Sequence, residues 1–290
     1  MSSGKEILGN DSPGDQLRSA SRNEFVEKSG ETWTALKSLT AARIALGRSG
    51  ASQPTSAMLS FQLDHSRARD AIHSSMDATG LQEDLQKIGL HCLKLSSEAG
   101  HRSLYLKRPD LGRKLNDASK QSLKDHLELE KAPNDSGFRF DIVFVIADGL
   151  SARAVQNHSV SFIAAFQNLL QNEKKDLRIG PVCIVEQGRV AIGDPVGEIL
   201  NSALVAVLIG ERPGLSSPDS MGLYMTYAPR SGTTDERRNC ISNIRPEGLQ
   251  IQDAVRRFIY LATQSMNRAL SGVFLKDDSG PTLDTSTSNE

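Results

Sequence analysis

Ser202-Ala-Leu-Val-Ala-Val-Leu-Ile-Gly210 runs without a break into Glu211-Arg212-Pro213-Gly214. A short, continuous apolar run closed by Gly and Pro is the pattern of a strand buried on both faces. In open α/β sheets, ligands collect at the carboxyl ends of such strands. The turn residues after Ile209 therefore bring a carboxylate and a guanidinium to a place where a site is expected.

Outward from this stretch the grammar repeats. Residues 140–146, Phe-Asp-Ile-Val-Phe-Val-Ile, read as a second buried strand, and 178–186 as a third. Helices are expected over 151–172 and 194–200. Residues 222–228 alternate, and 240–244 form a short apolar segment, so two further strands are expected there. Ile251, Val255, Phe258 and Ala262 share one face of a closing helix over 251–270. Strands alternating with helices imply an α/β fold with a mostly parallel sheet covered on both sides.

Upstream, 26–130 reads as a helical region. Trp33, Leu36, Thr40 and Ile44 fall near one face, and Met58, Phe61, His65, Ala68 and Ile72 recur at spacings of three and four. Residues 131–137, Lys-Ala-Pro-Asn-Asp-Ser-Gly, have the composition of a linker. Polar, Ser-rich stretches at 1–25 and 276–290 read as flexible tails, leaving 138–272 as the sheet domain.

Bulk properties exclude several classes. The 290 residues carry a formal net charge of −1, so no overall field favours nucleic acid or anionic lipid. Aromatic residues, at 5%, are too few for base stacking to be the main task. Cys92, Cys183 and Cys240 are scattered and odd in number, which points away from a disulfide framework or thiolate metal site. No apolar run reaches the roughly 20 residues of a membrane helix. The start has no apolar segment of the secretory kind, and the expectation is a cytoplasmic protein.

Four places invite chemistry. Asp148-Gly149-Leu150-Ser151 follows the first strand and could present N–H groups to a phosphate, or merely cap the next helix. Gln187-Gly188-Arg189-Val190 could let a bulky ligand approach, with Val190 over a flat ring, or form a turn with Val190 packed inward. Glu211 could accept hydrogen bonds from ligand amides, or form an exposed ion pair with Arg212. Cys240 fits a small buried hydrophobe or a ligand contact; no histidine follows His158 to serve it as a base. His65, on its apolar stripe, reads as a buried core histidine or as part of a partner-gripping surface. Arg48 and the group Lys107, Arg108, Arg113 read as phosphate binders or as solvated or interface charges. No metal-ligand spacing and no G-x-S-x-G or H-E-x-x-H is present, which suggests a binding subunit or half of a shared site.

Several motifs occur in one order: Thr40-Ala-Ala-Arg-Ile-Ala-Leu-Gly-Arg-Ser-Gly50, Asp64-His-Ser-Arg-Ala-Arg-Asp70, Tyr105-Leu-Lys-Arg-Pro-Asp-Leu-Gly-Arg113, Ile146-Ala-Asp-Gly-Leu-Ser151, Gly188-Arg-Val190, Gly197-Glu-Ile-Leu200, Gly210-Glu-Arg-Pro-Gly-Leu215 and Cys240-Ile-Ser-Asn-Ile244. Together they resemble the small (light) subunit of ethanolamine ammonia-lyase over about residues 32–270. The resemblance implies a Rossmann-like fold and a lyase subunit inactive on its own. It implies adenosylcobalamin as cofactor, held at the interface with a TIM-barrel large subunit, in a dodecamer of six pairs. It implies radical conversion of ethanolamine to acetaldehyde and ammonia. The family's corrinoid contacts fall on Val190, Glu211 and Cys240, with no catalytic residue or metal ligand from this chain. The D-x-H-x-x-G pattern of other cobalamin modules is absent, so no histidine of this chain is expected on cobalt. The polar N-terminus lacks an amphipathic stripe, so entry into a bacterial microcompartment is not supported. The alternative is an assembly subunit that packs on a partner without touching cofactor.

Overall fold

The computed structural model describes residues 32–40, 42–129, 137–174 and 176–278. The expected tail at 1–25, all of the tail expected at 276–290 beyond residue 278, and most of the 131–137 linker lie outside these residues. The chain divides into two units, 1–64 and 65–290.

In the first unit, residues 32–38 are helical and helix α1 (Thr55–His73) begins. Arg43 pairs with Asp64 at 2.7 Å and lies over the Phe61 ring at 5.3 Å. Much of the unit's apolar surface is exposed: Trp33, Leu36, Met58, Leu59, Phe61 and Leu63 all face solvent. The stripe along α1 is therefore covered only towards its end, at Ala68 and Ala71. His65 is exposed, so it is not a core histidine.

The second unit is built on a six-stranded sheet in the order β1-β3-β2-β4-β5-β6. Its strands are β1 (Cys92–Ser96), β2 (Phe140–Ala147), β3 (Val182–Glu186), β4 (Ser202–Gly210), β5 (Met221–Tyr227) and β6 (Arg238–Ile244). The first four lie parallel, and β5 and β6 add antiparallel ladders. The α/β class and mostly parallel sheet are as expected. The purely helical reading of 26–130 is corrected by β1, which pairs with β3 at the sheet edge. A five-residue edge strand interrupted by the exposed Lys94 gives little alternation to read.

The central strands are buried on both faces because successive side chains enter opposite layers. Ile142, Phe144 and Ile146 of β2 face one core, with Leu204, Ala206 and Leu208 of β4. Helices α2 (Ala78–Lys87), α5 (Ala152–Asn172) and α7 (Ile251–Arg268) cover that side. Phe258 of α7 sits among Phe144, Phe162 and Phe166, ring centroids 5.4–6.0 Å away. Val143, Val145 and Ala147 face the other core, with Val205, Val207 and Ile209. Helices α4 (Asp117–Leu129) and α6 (Gly193–Ile199) cover it, while α3 (Arg102–Lys107) lies near the carboxyl edge. No helix of the described residues is long and apolar enough to cross a membrane.

Candidate functional site

The strand order locates the site. From β2 the chain passes to β3 on one side, then returns across β2 to β4 on the other. Such a reversal leaves a crevice outside the carboxyl ends of the two strands that flank it, here β2 and β4.

The floor of the crevice is backbone. Leu150 N–H donates to the Gly210 carbonyl at 2.9 Å. A Cβ on Gly149 would strike the Gly210 carbonyl, and one on Gly210 would strike the Ser151 carbonyl. Gly149 also holds φ at +55°, a left-handed conformation that glycine adopts without a Cβ penalty. Ser151 is a cap: its Oγ accepts from Ala154 N–H at 3.4 Å and donates to the Pro218 carbonyl at 2.9 Å. The N–H groups of Leu150, Ser151 and Ala154 are thus spent within the chain, and Ser151 has the capping role expected of it.

Asp148 is an internal tie. It accepts from Gly188 N–H at 3.1 Å and faces Arg102 at 3.6 Å. Burial pushes its carboxyl up to about 6, against the pull of Arg102 and the backbone donors. Arg102 also donates to the carbonyls of Ile72 (2.6 Å) and Gly149 (2.7 Å), joining α1, α3 and the floor.

After β3, Gln187 takes φ +55° and Gly188 fits against Ala147, 3.0 Å from where its Cβ would sit. This turn presents Arg189 and Val190 to the cleft. Val190 is half-buried: it packs on the second core, as the turn reading expects, and its remaining surface lines the cleft. Arg189 lies over the Tyr105 ring at 4.4 Å and donates to the Tyr105 carbonyl at 3.1 Å. Arg102 lies over the same ring at 4.8 Å. The enclosed phenol donates to the Gly188 carbonyl at 3.4 Å, and burial pushes its pKa up to about 12.

Glu211 forms no ion pair with Arg212, which corrects the surface-pair reading. Its Oε2 accepts from Ser220 Oγ at 2.5 Å and from Asn243 N–H at 3.3 Å. Gly222 gives the carboxylate room, since a Cβ there would sit 2.9 Å from Oε1. One oxygen is fixed and Oε1 keeps its lone pairs for another donor.

Cys240 is not a buried hydrophobe. It lies on the face of β6 opposite Tyr224 of β5, exposed, with Sγ 3.2 Å from Ser242 Oγ. Tyr224 lines the cleft, so Cys240 adjoins it across one ladder step without lining it. Burial and the neighbouring Cys240 raise the Tyr224 pKa. Cys92 and Cys183 are buried.

The cleft has a volume of about 560 Å³ and brings together Val190 and Glu211 from the loops after β3 and β4, with Tyr105, Arg113, Arg189 and Tyr224. A larger neighbouring cleft of about 670 Å³ shares Arg113, Ala191 and Asp235 with it. Under that second cleft, Asp194 of α6 and Arg238 of β6 form a buried bidentate pair at 2.6 and 2.8 Å. Desolvation raises the Asp194 pKa although Arg238 opposes it. Arg108 is occupied by Asp110 at 2.7 Å, which leaves Arg113 as the member of that basic group at the site. Sequence reading missed Arg189, Tyr105 and the Asp194–Arg238 pair, since each depends on a contact between distant segments. Among the described residues no group of three or more His, Cys, Asp or Glu is placed to hold a metal ion.

Comparison with known proteins adds the family. Residues 30–276 match the family described as ethanolamine ammonia-lyase light chain (EutC). An ethanolamine ammonia-lyase small subunit of Pseudomonas putida is 52% identical over 85% of this chain and 88% of its own length. Its Xanthomonas campestris counterpart is 49% identical over 90% of this chain and 93% of its own length. The chain belongs to this family. The light-chain match begins before α1 and continues past α7, so it takes in the whole sheet and every residue of the cleft.

Proposed function

We propose that this chain is the small subunit of an ethanolamine ammonia-lyase, and that with a large subunit it encloses adenosylcobalamin at the cleft beside Val190, Glu211 and Cys240. We read its sheet as Rossmann-like, its compartment as the cytoplasm and its assembly as six large–small pairs. The bound cofactor supplies a cobalt–carbon bond whose homolysis starts the radical deamination of ethanolamine to acetaldehyde and ammonia. The work of this chain is positional.

The observation that carries the reading is the convergence of Val190 and Glu211 on one open cleft at the strand reversal. The residues suit a corrinoid. Val190, seated on the core, offers an apolar contact to a ring face, and Glu211 Oε1 is poised to accept from an amide N–H. Drug-sized ligands fill roughly 300–1,000 Å³. A corrin with its side chains and nucleotide is larger, so a cleft of about 560 Å³ receives only part of it. A second chain must cover the rest, and the exposed apolar side chains from Trp33 to Leu63 support contact with such a partner.

Reconstitution tests this. The chain, a cognate large subunit and adenosylcobalamin should together release acetaldehyde from ethanolamine, and neither chain should do so alone. Glu211→Ala should raise the cofactor Kd about tenfold, as expected for one hydrogen bond to a charged group. Turnover by this chain alone would sink the proposal. Unchanged cofactor affinity with weakened subunit association would instead establish the assembly-only role.

A further inference from the structure

Once ion pairs are set aside, the charge around the switch-point cleft is predominantly positive. Its two carboxylates are engaged: Glu211 by Ser220 and Asn243, and Asp235 by Arg238 Nε at 3.1 Å. Its three guanidiniums, on Arg113, Arg189 and Arg212, form no ion pair with any described residue. Arg102, just behind them, shows the contrast by facing Asp148.

Arg189 is the most constrained of the three. Its guanidinium is fixed by the Tyr105 ring and carbonyl, and its Nε is enclosed without a hydrogen-bond partner. A partly desolvated charge without a counter-charge is costly, and a stacked guanidinium has already lost its rotational freedom. Such a group is a preformed anion receptor. Arg113 stands next to it in space, because Arg189 N–H donates to the Gly112 carbonyl at 2.8 Å. Arg212 follows Glu211 along the same cleft.

Building on the cofactor reading above, we infer that Arg189, flanked by Arg113 and Arg212, receives the phosphodiester of a nucleotide-bearing corrinoid. The phosphodiester is the anionic group of such a ligand, whereas its amides are neutral and suit Glu211. The planar guanidinium fork matches phosphate oxygens and makes short, charge-assisted bonds. The three cations share their cleft with Val190 and Glu211, which places anion and ring contacts in one cleft.

The test uses the assembled complex and two probes, cobalamin and cobinamide, a corrinoid without nucleotide or phosphate. Binding is followed by the visible absorbance of the corrin. Arg189→Gln should raise the cobalamin Kd about tenfold to a hundredfold and leave the cobinamide Kd within about twofold. The exposed Arg113→Gln and Arg212→Gln should show smaller losses of the same selectivity, shrinking as salt rises. They carry the test if Arg189→Gln does not fold. Equal loss for both corrinoids would overturn the inference, because Arg189 would then act through Tyr105 packing. So would unchanged cobalamin affinity with weakened chain association, the mark of a carboxylate on the partner. A wild-type complex that binds neither corrinoid removes the cofactor reading itself and this inference with it. That pattern is distinct, since it is seen before any substitution.

Discussion

Arg238 offers a calculation that can fail. Its guanidinium has five N–H groups, and five acceptors surround it: Asp194 Oδ1 (2.6 Å) and Oδ2 (2.8 Å), Thr226 Oγ1 (3.1 Å), the Thr233 carbonyl (2.7 Å) and Asp235 Oδ1 (3.1 Å). The side chains of Arg238 and Asp194 are each 2% exposed. Asp194→Ala removes two bonds to a charged group, each worth about 1.5–3 kcal/mol, and leaves a buried cation. Measured losses for breaking such pairs are about 3–5 kcal/mol, so about 4 kcal/mol is expected. For a domain of this size that lowers Tm by roughly 8–16 °C. Urea unfolding of Asp194→Leu, Arg238→Met and the Asp194→Leu/Arg238→Met double variant completes a cycle, with Asp194→Ala measured beside it. The double variant should recover most of the loss, because apolar replacement of a buried pair is often neutral. A single-variant loss under about 1 kcal/mol, or strictly additive losses, would refute the reasoning. The effect also bears on the site, since Arg238 lies two residues before Cys240 on the same face of β6.

Two further outcomes are expected. Asp148 titrates near 3.9 when unfolded and at about 6 when folded, so the folded chain holds the extra proton between these values. Stability from this group therefore falls as pH rises from about 4 to 7, by at most about 3 kcal/mol. Asp148→Asn lacks that slope, so its stability relative to the parent should grow with pH; a constant difference in urea unfolding would contradict this. Phe258→Ala, emptying the space among three phenylalanines, should cost about 3–5 kcal/mol in urea unfolding, and a loss below about 1 kcal/mol would show that the cluster collapses onto the gap.

What could be read in advance followed from how local each feature is. The β2 and β4 runs and the α7 stripe announce themselves because burial on two faces, or on one helical face, leaves a continuous mark in the chain. β1 leaves almost none, being five residues long with Lys94 exposed in the middle. The stripe on α1 was legible as apolar, but periodicity says nothing about what covers a face, and Met58 and Phe61 are exposed. Val190 and Glu211 stood out because Gly and Pro punctuate the strand ends that carry them. Arg189 did not, because a guanidinium after a glycine looks solvated until Tyr105, 84 residues earlier, lies beneath it. Cys240 was legible as a contact candidate, yet its exposure on a strand face depends on β6 beginning at Arg238.

The main-chain crossing of Gly149 and Gly210 sets where this scaffold can diversify. A floor without side chains offers nothing to retune, and any residue larger than hydrogen there meets a carbonyl. A change in ligand preference, whether by drift or by a directed library, must therefore be written into the flanks at Val190, Arg212 and Tyr224, while the base stays invariant in shape.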